Sequence, residues 1–331
     1  MTRQRVLVTG GSGFIAGHCI LQLLNQGYSV RTTVRSLTRE AAVRAVLADA
    51  RMADGDLSFV AADLMTDEGW ADAVEGVDFV LHVASPVRLG PVDDENEVIA
   101  PAREGTLRVL RAARDAGVRR VVLTSAFHAA GFGHPPTDHT FTEEDWSVLD
   151  GPGMDAYGRA KTLAERAAWD FTAGGAMELV SLLPVAVMGP IMGADVSGAN
   201  QIVQRLLNGE PAGPPGMWIP IVDVRDVASA HVLAMTEPAA AGRRFLLSSG
   251  PALTVRQIAA VLSAHLTDSV PGLATLFPPG DDDSGPAKKV SSDRARSVLR
   301  WRPRDAEEAI RAGADSMISK SPVTGRAPGS V

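Results

Sequence analysis

The sequence has a single cysteine, no long apolar run and no cluster of basic residues. Because Cys19 has no second cysteine to pair with, the chain cannot form an internal disulfide, which favours a cytoplasmic location. The apolar runs are much shorter than the roughly 20 residues that cross a membrane, and we see no signal peptide at the N-terminus. The 32 basic residues are spread over a chain of net charge -7, so we expect neither nucleic acid nor a membrane as a partner.

Strand-like and helix-like segments alternate through the first two-thirds of the chain. Its 331 residues are 45% hydrophobic, which is enough to bury a large core. Continuous apolar strands separated by helices are typical of a parallel sheet with both faces covered. The sequence therefore predicts an α/β fold with a Rossmann-type doubly wound parallel sheet. The predicted strands are Val6–Thr9, Ser29–Val34, Leu57–Ala61, Asp78–Val83, Arg120–Thr124, Leu179–Val187 and Trp218–Val222. The predicted helices are Phe14–Leu24, Glu40–Leu47, Asp67–Val74, a long one ending at Gly117, Ala156–Phe171, Val224–Met235, Thr254–His265, Asp293–Leu299 and Asp305–Ser319.

A glycine-rich segment, Thr-Gly-Gly-Ser-Gly-Phe-Ile-Ala at 9–16, lies between the first strand and the first helix. Its glycines permit a tight turn and let the backbone approach a pyrophosphate, while the helix N-terminus offers free N–H groups. The alternative is a purely structural turn in a flavodoxin-like fold. We predict a dinucleotide site with contacts from Gly10, Ser12, Gly13, Phe14 and Ile15.

The end of the second strand indicates which dinucleotide is bound. An acidic residue there would bind a ribose 2′-hydroxyl, but the sequence has Arg35, with Arg39 one helical turn further on. A guanidinium suits a 2′-phosphate because it is planar and permanently charged. The sequence predicts NADP(H) as the cofactor, and the alternative is that both arginines are solvated surface residues.

The pattern changes after Gly189, where short helices and Pro-rich loops replace the regular alternation. We predict an NADP-binding Rossmann domain made of residues 1–188 and 218–248. Residues 189–217 and 249–320 form a smaller, mainly helical substrate lobe. The segment 278–286 is expected to be a solvated loop, and residues 321–331 a disordered tail.

Tyr157 and Lys161 are four residues apart on a predicted helix, so they share one face. An ammonium beside a phenol favours the phenolate and lowers its pKa from about 10. Such a tyrosine can give a proton to a carbonyl oxygen, and Lys161 can bind the ribose of a cofactor. A tyrosine and a lysine at this spacing often occur together by chance. The position of this pair after the fifth strand of a dinucleotide-binding sheet is what favours a catalytic role.

With these segments, the chain resembles the extended short-chain dehydrogenases/reductases, in the branch of dihydroflavonol reductases, cinnamoyl-CoA reductases and yeast-type aldehyde reductases. The resemblance covers roughly Arg5 to Ser319. It rests on the glycine segment, Leu-His-Val-Ala-Ser-Pro at 81–86, Val-Val-Leu-Thr-Ser at 121–125, the run at 156–169 that contains Tyr157 and Lys161, and Asp-Val-Arg-Asp-Val-Ala at 223–228.

The resemblance implies further cofactor contacts. Asp63 and Leu64 would flank the adenine. Val83, Ala84 and Ser85 would line the path to the nicotinamide ribose, and the segment from Pro184 to Val187 would touch the nicotinamide. The reaction implied is NADPH-dependent reduction of an aldehyde or ketone, with an apolar or aromatic substituent, by a monomer or homodimer.

Two residues depart from the family pattern. The family usually has Thr-Ser-Ser after the fifth strand, and its second serine binds the substrate carbonyl; here that position is Ala126. Ser125 or His128 is expected to take part of the missing role. The family also tends to have asparagine where this chain has Leu183. Two alternatives therefore stay open: chemistry on an imine, an enone or a redox-neutral substrate, or a cofactor-binding regulator with little turnover.

Other candidates carry weaker signals. His134, Asp138 and His139 match no common zinc spacing, so no metal is expected. His82 is expected to be structural, and Cys19 a buried apolar residue. A set of larger apolar residues lines either a substrate pocket or ordinary core: Met188, Met192, Met217, Trp218 and Phe132.

Overall fold

The computed structural model describes residues 3–50, 56–86, 93–266, 276–277 and 285–320. Its centre is a seven-stranded sheet in which every neighbouring pair is parallel. The strands are β1 Arg5–Val8, β2 Ser29–Val34, β3 Leu57–Ala61, β4 Phe79–His82, β5 Arg120–Thr124, β7 Glu178–Pro184 and β11 Arg243–Leu247. Their order in the sheet is β11-β7-β5-β4-β1-β2-β3, which is the doubly wound arrangement that the sequence predicts.

Helices cover both faces of this sheet, and alternate residues of each strand face them. The described helices are α1 Phe14–Asn25, α2 Glu40–Asp49, α3 Trp70–Val74, α4 Asn96–Asp115, α5 Ala156–Thr172, α6 Asn200–Leu207, α7 Val224–Thr236, α8 Val255–Leu266, α9 Asp293–Val298 and α10 Ala306–Lys320. In β1, Val6 and Val8 belong to the apolar cluster shared with α1, whereas Leu7 belongs to the cluster shared with α4. Short 3-10 helices occupy Leu37–Arg39, Phe127–Ala129 and Pro238–Ala240.

Prolines divide two of the predicted strands. The run Leu179–Val187 becomes β7, which ends at Pro184, and β8, Ala186–Met188. The run Trp218–Val222 becomes β9, Trp218–Ile219, and β10, Ile221–Asp223, with Pro220 between them. Proline has no N–H to donate to a ladder. As a result β8 pairs with β10 outside the central sheet, and β9 pairs with β12, Leu253–Thr254.

Several elements were not predicted, among them β11, α6 and the short strands β6 Thr140–Phe141, β12 and β13 Lys289–Val290. The edge strand β11 begins with Arg243 and Arg244, which break the apolar pattern of a buried strand, and α6 is short. The remaining pair, β6 with β13, ties the loop after β5 to the C-terminal part of the chain.

A third apolar cluster is built mainly from α6, α8, α10 and the short strands near them. It has the position expected of the substrate lobe, although the division into two domains stays a prediction. Residues 278–284 of the expected loop and the whole expected tail, 321–331, lie outside the described residues. Among the helices that are described, none is both long and apolar enough to cross a membrane.

Candidate active site

The predicted site residues follow the carboxyl ends of neighbouring parallel strands. Gly10 follows β1, Ala84 follows β4 and Ser125 follows β5. Ligands of doubly wound sheets bind at this edge, where the crossover connections diverge. The sheet order places β1 between β4 and β2, so the glycine segment lies at the centre of the edge.

The glycine segment forms a turn that side chains would obstruct. Gly10 has φ +73°, and a Cβ there would lie 3.0 Å from the Cβ of Ala84. At Gly11 a Cβ would lie 2.3 Å from Oγ1 of Thr32. Gly13 is the N-cap of α1, whose first turn has no acidic residue and no side-chain cap from the residues that the structure describes. The turn and the uncapped helix N-terminus fit a dinucleotide pyrophosphate.

Thr9, which was not among the predicted site residues, fixes the segment that follows β4 against the glycine turn. Its hydroxyl oxygen accepts hydrogen bonds from the backbone N–H groups of Val83 and Ala84, at 3.0 and 2.9 Å. Its own proton is therefore left for Nδ1 of His82, 2.9 Å away. Burial lowers the pKa of His82 to about 3, so the ring is neutral and structural. Thr9 holds the segment that continues to Ser85 against the glycine turn.

Arg35 and Arg39 are both exposed beyond the end of β2. Ser36 begins the 3-10 helix between them, and its side chain accepts a hydrogen bond from Thr38. Within the described ranges, neither arginine makes an ion pair with an acidic side chain. Both guanidinium groups can therefore meet an anionic ligand at this edge.

Asp63 and Leu64 follow β3, the strand that pairs with β2. The carboxylate of Asp63 accepts a hydrogen bond from Met65 N, and its carbonyl accepts one from Trp70. Leu64 packs on Gly105 of α4, where a Cβ would lie 2.9 Å from the Leu64 Cβ. The two residues are thus fixed on the same sheet edge as Arg35.

Tyr157 and Lys161 occupy the first two turns of α5. Asp155 is the N-cap and accepts a hydrogen bond from Gly158 N at 2.7 Å. The ammonium of Lys161 lies 5.9 Å from the centre of the Tyr157 ring and donates to the carbonyl of Thr124 at 3.4 Å. The two side chains share one face of the helix, as their spacing predicts.

The expected lowering of the tyrosine pKa is not found. Burial, together with the carboxylate of Asp155, raises the pKa of Tyr157 to about 12. Burial also lowers the pKa of Lys161 to about 8, although Glu165 opposes this shift. The ammonium of Lys161, 5.9 Å from the ring centre, does not offset this shift. The phenol is protonated at neutral pH, which is the form that a proton donor needs.

His128 is placed next to Tyr157. It lies in the 3-10 helix Phe127–Ala129, which directly follows Ala126. Its ring stacks on Phe132 at 4.0 Å and meets the Tyr157 ring edge-on at 4.9 Å. Burial lowers the pKa of His128 to about 4, so the imidazole is neutral.

A model of the NAD dependent epimerase/dehydratase family matches residues 6–247. The chain belongs to this family. It is 33% identical over 291 residues to a dihydroflavonol 4-reductase of Zea mays, covering 86% of this chain and 80% of the relative. It is 31% identical over 332 residues to a cinnamoyl-CoA reductase of Medicago truncatula, covering 95% and 96%. Its fold is similar to yeast methylglyoxal/isovaleraldehyde reductase in complex with NADPH, with TM-score 0.81, 26% identity and coverage of 96% and 98%. The resemblance seen in the sequence is confirmed.

The two residues that depart from the family pattern, Ala126 and Leu183, lie in different surroundings. Ala126 directly precedes the helix that carries His128. Leu183 is fully buried, pairs with Leu246 of β11 and belongs to the apolar cluster that contains Phe127. The change at 183 therefore extends the core, whereas the change at 126 removes the hydroxyl that the family pattern has at that position. Pro184 and Val187, the expected nicotinamide contacts, follow Leu183 at the end of β7 and in β8.

Ser125 has a buried partner that the sequence analysis missed. Its hydroxyl donates to Oε2 of Glu165 at 2.6 Å, so it already has an acceptor. Glu165 is also paired with Arg244 of β11. The only local signal for Glu165 is its position four residues after Lys161 on α5, and Arg244 comes from a strand that was not predicted.

The remaining candidates have other surroundings. His139 pairs with Asp145, and Asp138 with Lys289. The described ranges contain no group of three His, Cys, Asp or Glu side chains arranged for a metal ion. Cys19 is fully buried, and burial raises the pKa of its thiol. Of the five apolar residues considered for a pocket, Phe132 contacts the ring beside Tyr157, while Met188 and Met217 belong to the third apolar cluster.

Proposed function

We propose that this protein reduces an aldehyde or ketone with NADPH, and that Tyr157 gives the proton to the carbonyl oxygen. The observation that carries the proposal is the position of Tyr157 and Lys161 at the sheet edge where the glycine turn fits a dinucleotide. Membership of the family and similarity to named reductases support the coarser statement that the chain is an NADP(H)-dependent oxidoreductase.

The cofactor would lie along the carboxyl edge of the sheet. Gly10, Ser12, Gly13 and the start of α1 would hold its pyrophosphate, and Arg35 with Arg39 its 2′-phosphate. Asp63 and Leu64 would flank the adenine, and the segment from Val83 to Ser85 would border the nicotinamide ribose. The solved relative that contains NADPH supports this choice over NADH.

NADPH, when bound, supplies the hydride. The side chains of this protein would supply the proton and fix the geometry. Because burial keeps the Tyr157 phenol protonated, it can donate to the oxygen of a substrate carbonyl as negative charge develops there. Lys161, held by the Thr124 carbonyl, would bind the ribose and hold positive charge near the phenol.

A second hydrogen-bond donor is needed where the family has its second serine. Ala126 supplies none, and the Ser125 hydroxyl is bonded to Glu165. His128 is neutral, its ring meets the Tyr157 ring, and one nitrogen of a neutral imidazole carries a proton. We assign His128 as that second donor. Its stack with Phe132 also forms an apolar, aromatic wall, which favours a substrate with an apolar or aromatic substituent.

The alternative function keeps NADP(H) and changes the substrate to an imine or an enone. The observation that favours it is the alanine at 126, since a site for a carbonyl oxygen would be expected to keep both hydroxyl donors. A regulator with little turnover is less favoured because Tyr157 and Lys161 are both in place. A cytoplasmic location and a monomeric or homodimeric state stay predictions.

A steady-state assay separates these functions. Consumption of NADPH and of NADH is measured with matched aliphatic and aromatic aldehydes, ketones, cyclic imines and enones. We expect turnover with an aromatic or apolar carbonyl compound, and higher kcat/KM with NADPH. Turnover confined to imines or enones would favour the alternative, and tight NADPH binding without turnover would favour a regulator.

A further inference from the structure

We propose that Glu165 is a positioning residue for the reaction proposed above: its carboxylate, clamped by Arg244, holds the hydroxyl of Ser125 and supplies negative charge beside the ammonium of Lys161. The inference rests on the proposed function only for its effect on turnover. Its effect on Lys161 can be measured in the protein without cofactor or substrate.

Four side chains follow one another along a single face of α5 at intervals of four residues: Tyr157, Lys161, Glu165 and Trp169. The first two are the candidate catalytic pair, and the indole N–H of Trp169 donates to Oε1 of Glu165 at 3.2 Å. Glu165 therefore lies one helical turn below Lys161 on the side that leads away from Tyr157. The stripe runs from the candidate site to Trp169, which is partly exposed.

Glu165 is 1% exposed, yet both of its oxygens are hydrogen-bonded. Arg244 donates from Nε to Oε1 at 2.8 Å and from Nη2 to Oε2 at 3.2 Å. Ser125 donates to Oε2 at 2.6 Å. A buried carboxylate stays ionised only when such partners replace its lost water. These partners give Glu165 a fixed negative charge.

Arg244 is itself immobilised. Its Nη1 donates to the carbonyl oxygens of Glu143 and Asp145, at 2.8 and 2.7 Å. Its guanidinium lies 3.8 Å from the centre of the Trp146 ring. Because Arg244 is anchored by backbone groups and an aromatic face, the carboxylate that it holds cannot follow Lys161 if the lysine moves. The clamp fixes the position of Glu165.

Lys161 and Glu165 share one small cavity next to the site. Its polar lining comes from Ser85, Thr106, Thr124, Ser125, Lys161 and Glu165. The ionisable groups around Lys161 come from several elements: Tyr157 and Glu165 of α5, His82 of β4 and His128 of the 3-10 helix, with His231 of α7 bonded to Thr124. Burial keeps the three histidines neutral by lowering their pKa values to about 3 or 4. Among these groups of the described chain, Glu165 alone supplies negative charge.

The sign of the effect follows from this arrangement. Burial lowers the pKa of Lys161 to about 8, and the Glu165 carboxylate works against that shift. Removing the carboxylate charge leaves burial unopposed, so Lys161 should lose its proton at a lower pH. Nearby charges typically shift a pKa by about one unit or more.

The chain contains four lysines, Lys161, Lys288, Lys289 and Lys320, which makes a direct measurement practical. Protein labelled with ¹³C at lysine Cε is titrated by NMR, and the Lys161 signal is assigned from its loss in Lys161→Arg. We expect a midpoint near the value above in the wild type, and a midpoint lower by about one unit in Glu165→Gln. The same midpoint in both proteins would overturn the proposal.

Two further variants keep the test decisive. Glu178→Gln removes the carboxylate from another buried arginine, Arg120, and should leave the Lys161 midpoint unchanged. Glu165→Asp keeps the charge but withdraws it by one methylene, so we expect a smaller downward shift. If Glu165→Gln does not fold, an unchanged midpoint in Glu165→Asp is sufficient to overturn the proposal.

Turnover provides the second readout. In Glu165→Gln the alkaline fall of kcat/KM should move to lower pH in parallel with the Lys161 midpoint, whereas Glu178→Gln should keep the wild-type profile. A shifted midpoint in a protein that reduces no carbonyl compound would support the role of Glu165 and refute the proposed reaction. A shifted midpoint with an unmoved pH profile would overturn the link from Glu165 to the reaction.

Discussion

Two buried arginines of the central sheet each pair with a glutamate, and the two ion pairs lie in different surroundings. Arg120 begins β5, pairs with Glu178 of β7 at 2.7 Å and donates to the carbonyls at the end of α7. Arg244 of β11 pairs with Glu165 at 2.8 Å, one turn from Lys161. In the sheet register Arg120 lies beside Glu178, whereas Arg244 lies beside Ser181, which pairs with Leu123.

The register explains the difference. Leu123 is the last residue but one of β5, so Arg244 is level with the carboxyl edge although it stands near the start of its own strand. Arg120 lies at the opposite end, where its partners are carbonyl groups at the C-terminus of α7 and the partly exposed carboxylate of Glu178. The Arg120–Glu178 pair therefore stabilises the amino end of the sheet, whereas the Arg244–Glu165 pair lies next to the candidate site at the carboxyl end.

The largest effect should come from the carboxyl end. Tyr157→Phe removes only the phenolic oxygen, so we expect kcat to fall by ~10²–10⁴-fold while NADPH affinity stays nearly unchanged. Steady-state kinetics and a fluorescence titration with NADPH measure the two quantities. The only other tyrosine, Tyr28, provides the control, and Tyr28→Phe should keep wild-type turnover. Near-full kcat in Tyr157→Phe would mean that the proton has another donor.

The next effect concerns the cofactor end of the same edge. Arg35→Ala removes an exposed guanidinium that has no acidic partner in the described chain, so no internal contact is lost. We expect NADPH to bind roughly tenfold to a hundredfold more weakly, because a charged hydrogen bond is lost. NADH should be affected little. Equal losses for both nucleotides in parallel titrations would refute the assignment of Arg35 to the 2′-phosphate.

A smaller effect should separate the two readings of His128. His128→Ala should lower kcat by up to about 10²-fold, and adding Ala126→Ser should restore part of the loss. His128→Phe keeps an aromatic ring against Phe132 but has no N–H, so it should resemble His128→Ala if the ring acts as a donor. Wild-type kcat and KM in His128→Phe would show that the His128 ring contributes packing and not a hydrogen bond.

The smallest effect on activity should come from the amino end. Glu178→Gln leaves Arg120 with its carbonyl partners and should cost about 1–2 kcal/mol of unfolding free energy, since Glu178 is partly exposed. Urea denaturation measures this loss, and kcat should not change. A large fall in kcat without loss of stability would contradict the claim that the Arg120–Glu178 pair contributes to stability only.

The parts of the molecule that the sequence predicts are those encoded by neighbouring residues. The glycine turn, the shared face of Tyr157 and Lys161 and most strands depend on local spacing, and the structure has them where they are expected. The breaks at Pro184 and Pro220 could have been read from the prolines. The edge strand β11 begins with two arginines, so its three apolar residues alone are too short a run to predict a strand.

What the sequence could not predict depends on contacts between distant residues. Glu165 and Arg244 are 79 positions apart, and their pairing follows from the sheet register. The direction of the Tyr157 pKa shift depends on how deeply the ring is buried, which spacing alone does not determine. The bond from Ser125 to Glu165 likewise required the structure, and it leaves His128 as our candidate for the missing donor.

The most direct measurement of the proposed reaction follows the hydrogen itself. The protein is incubated with an aromatic or apolar carbonyl substrate and NADPH that carries deuterium on one face of nicotinamide C4, and the products are analysed by mass spectrometry. We expect an alcohol with one deuterium on its carbinol carbon from one labelled face and none from the other, at a rate that Tyr157→Phe lowers by ~10²–10⁴-fold. Absence of labelled alcohol with both faces, while NADPH binds, would contradict carbonyl reduction by this site.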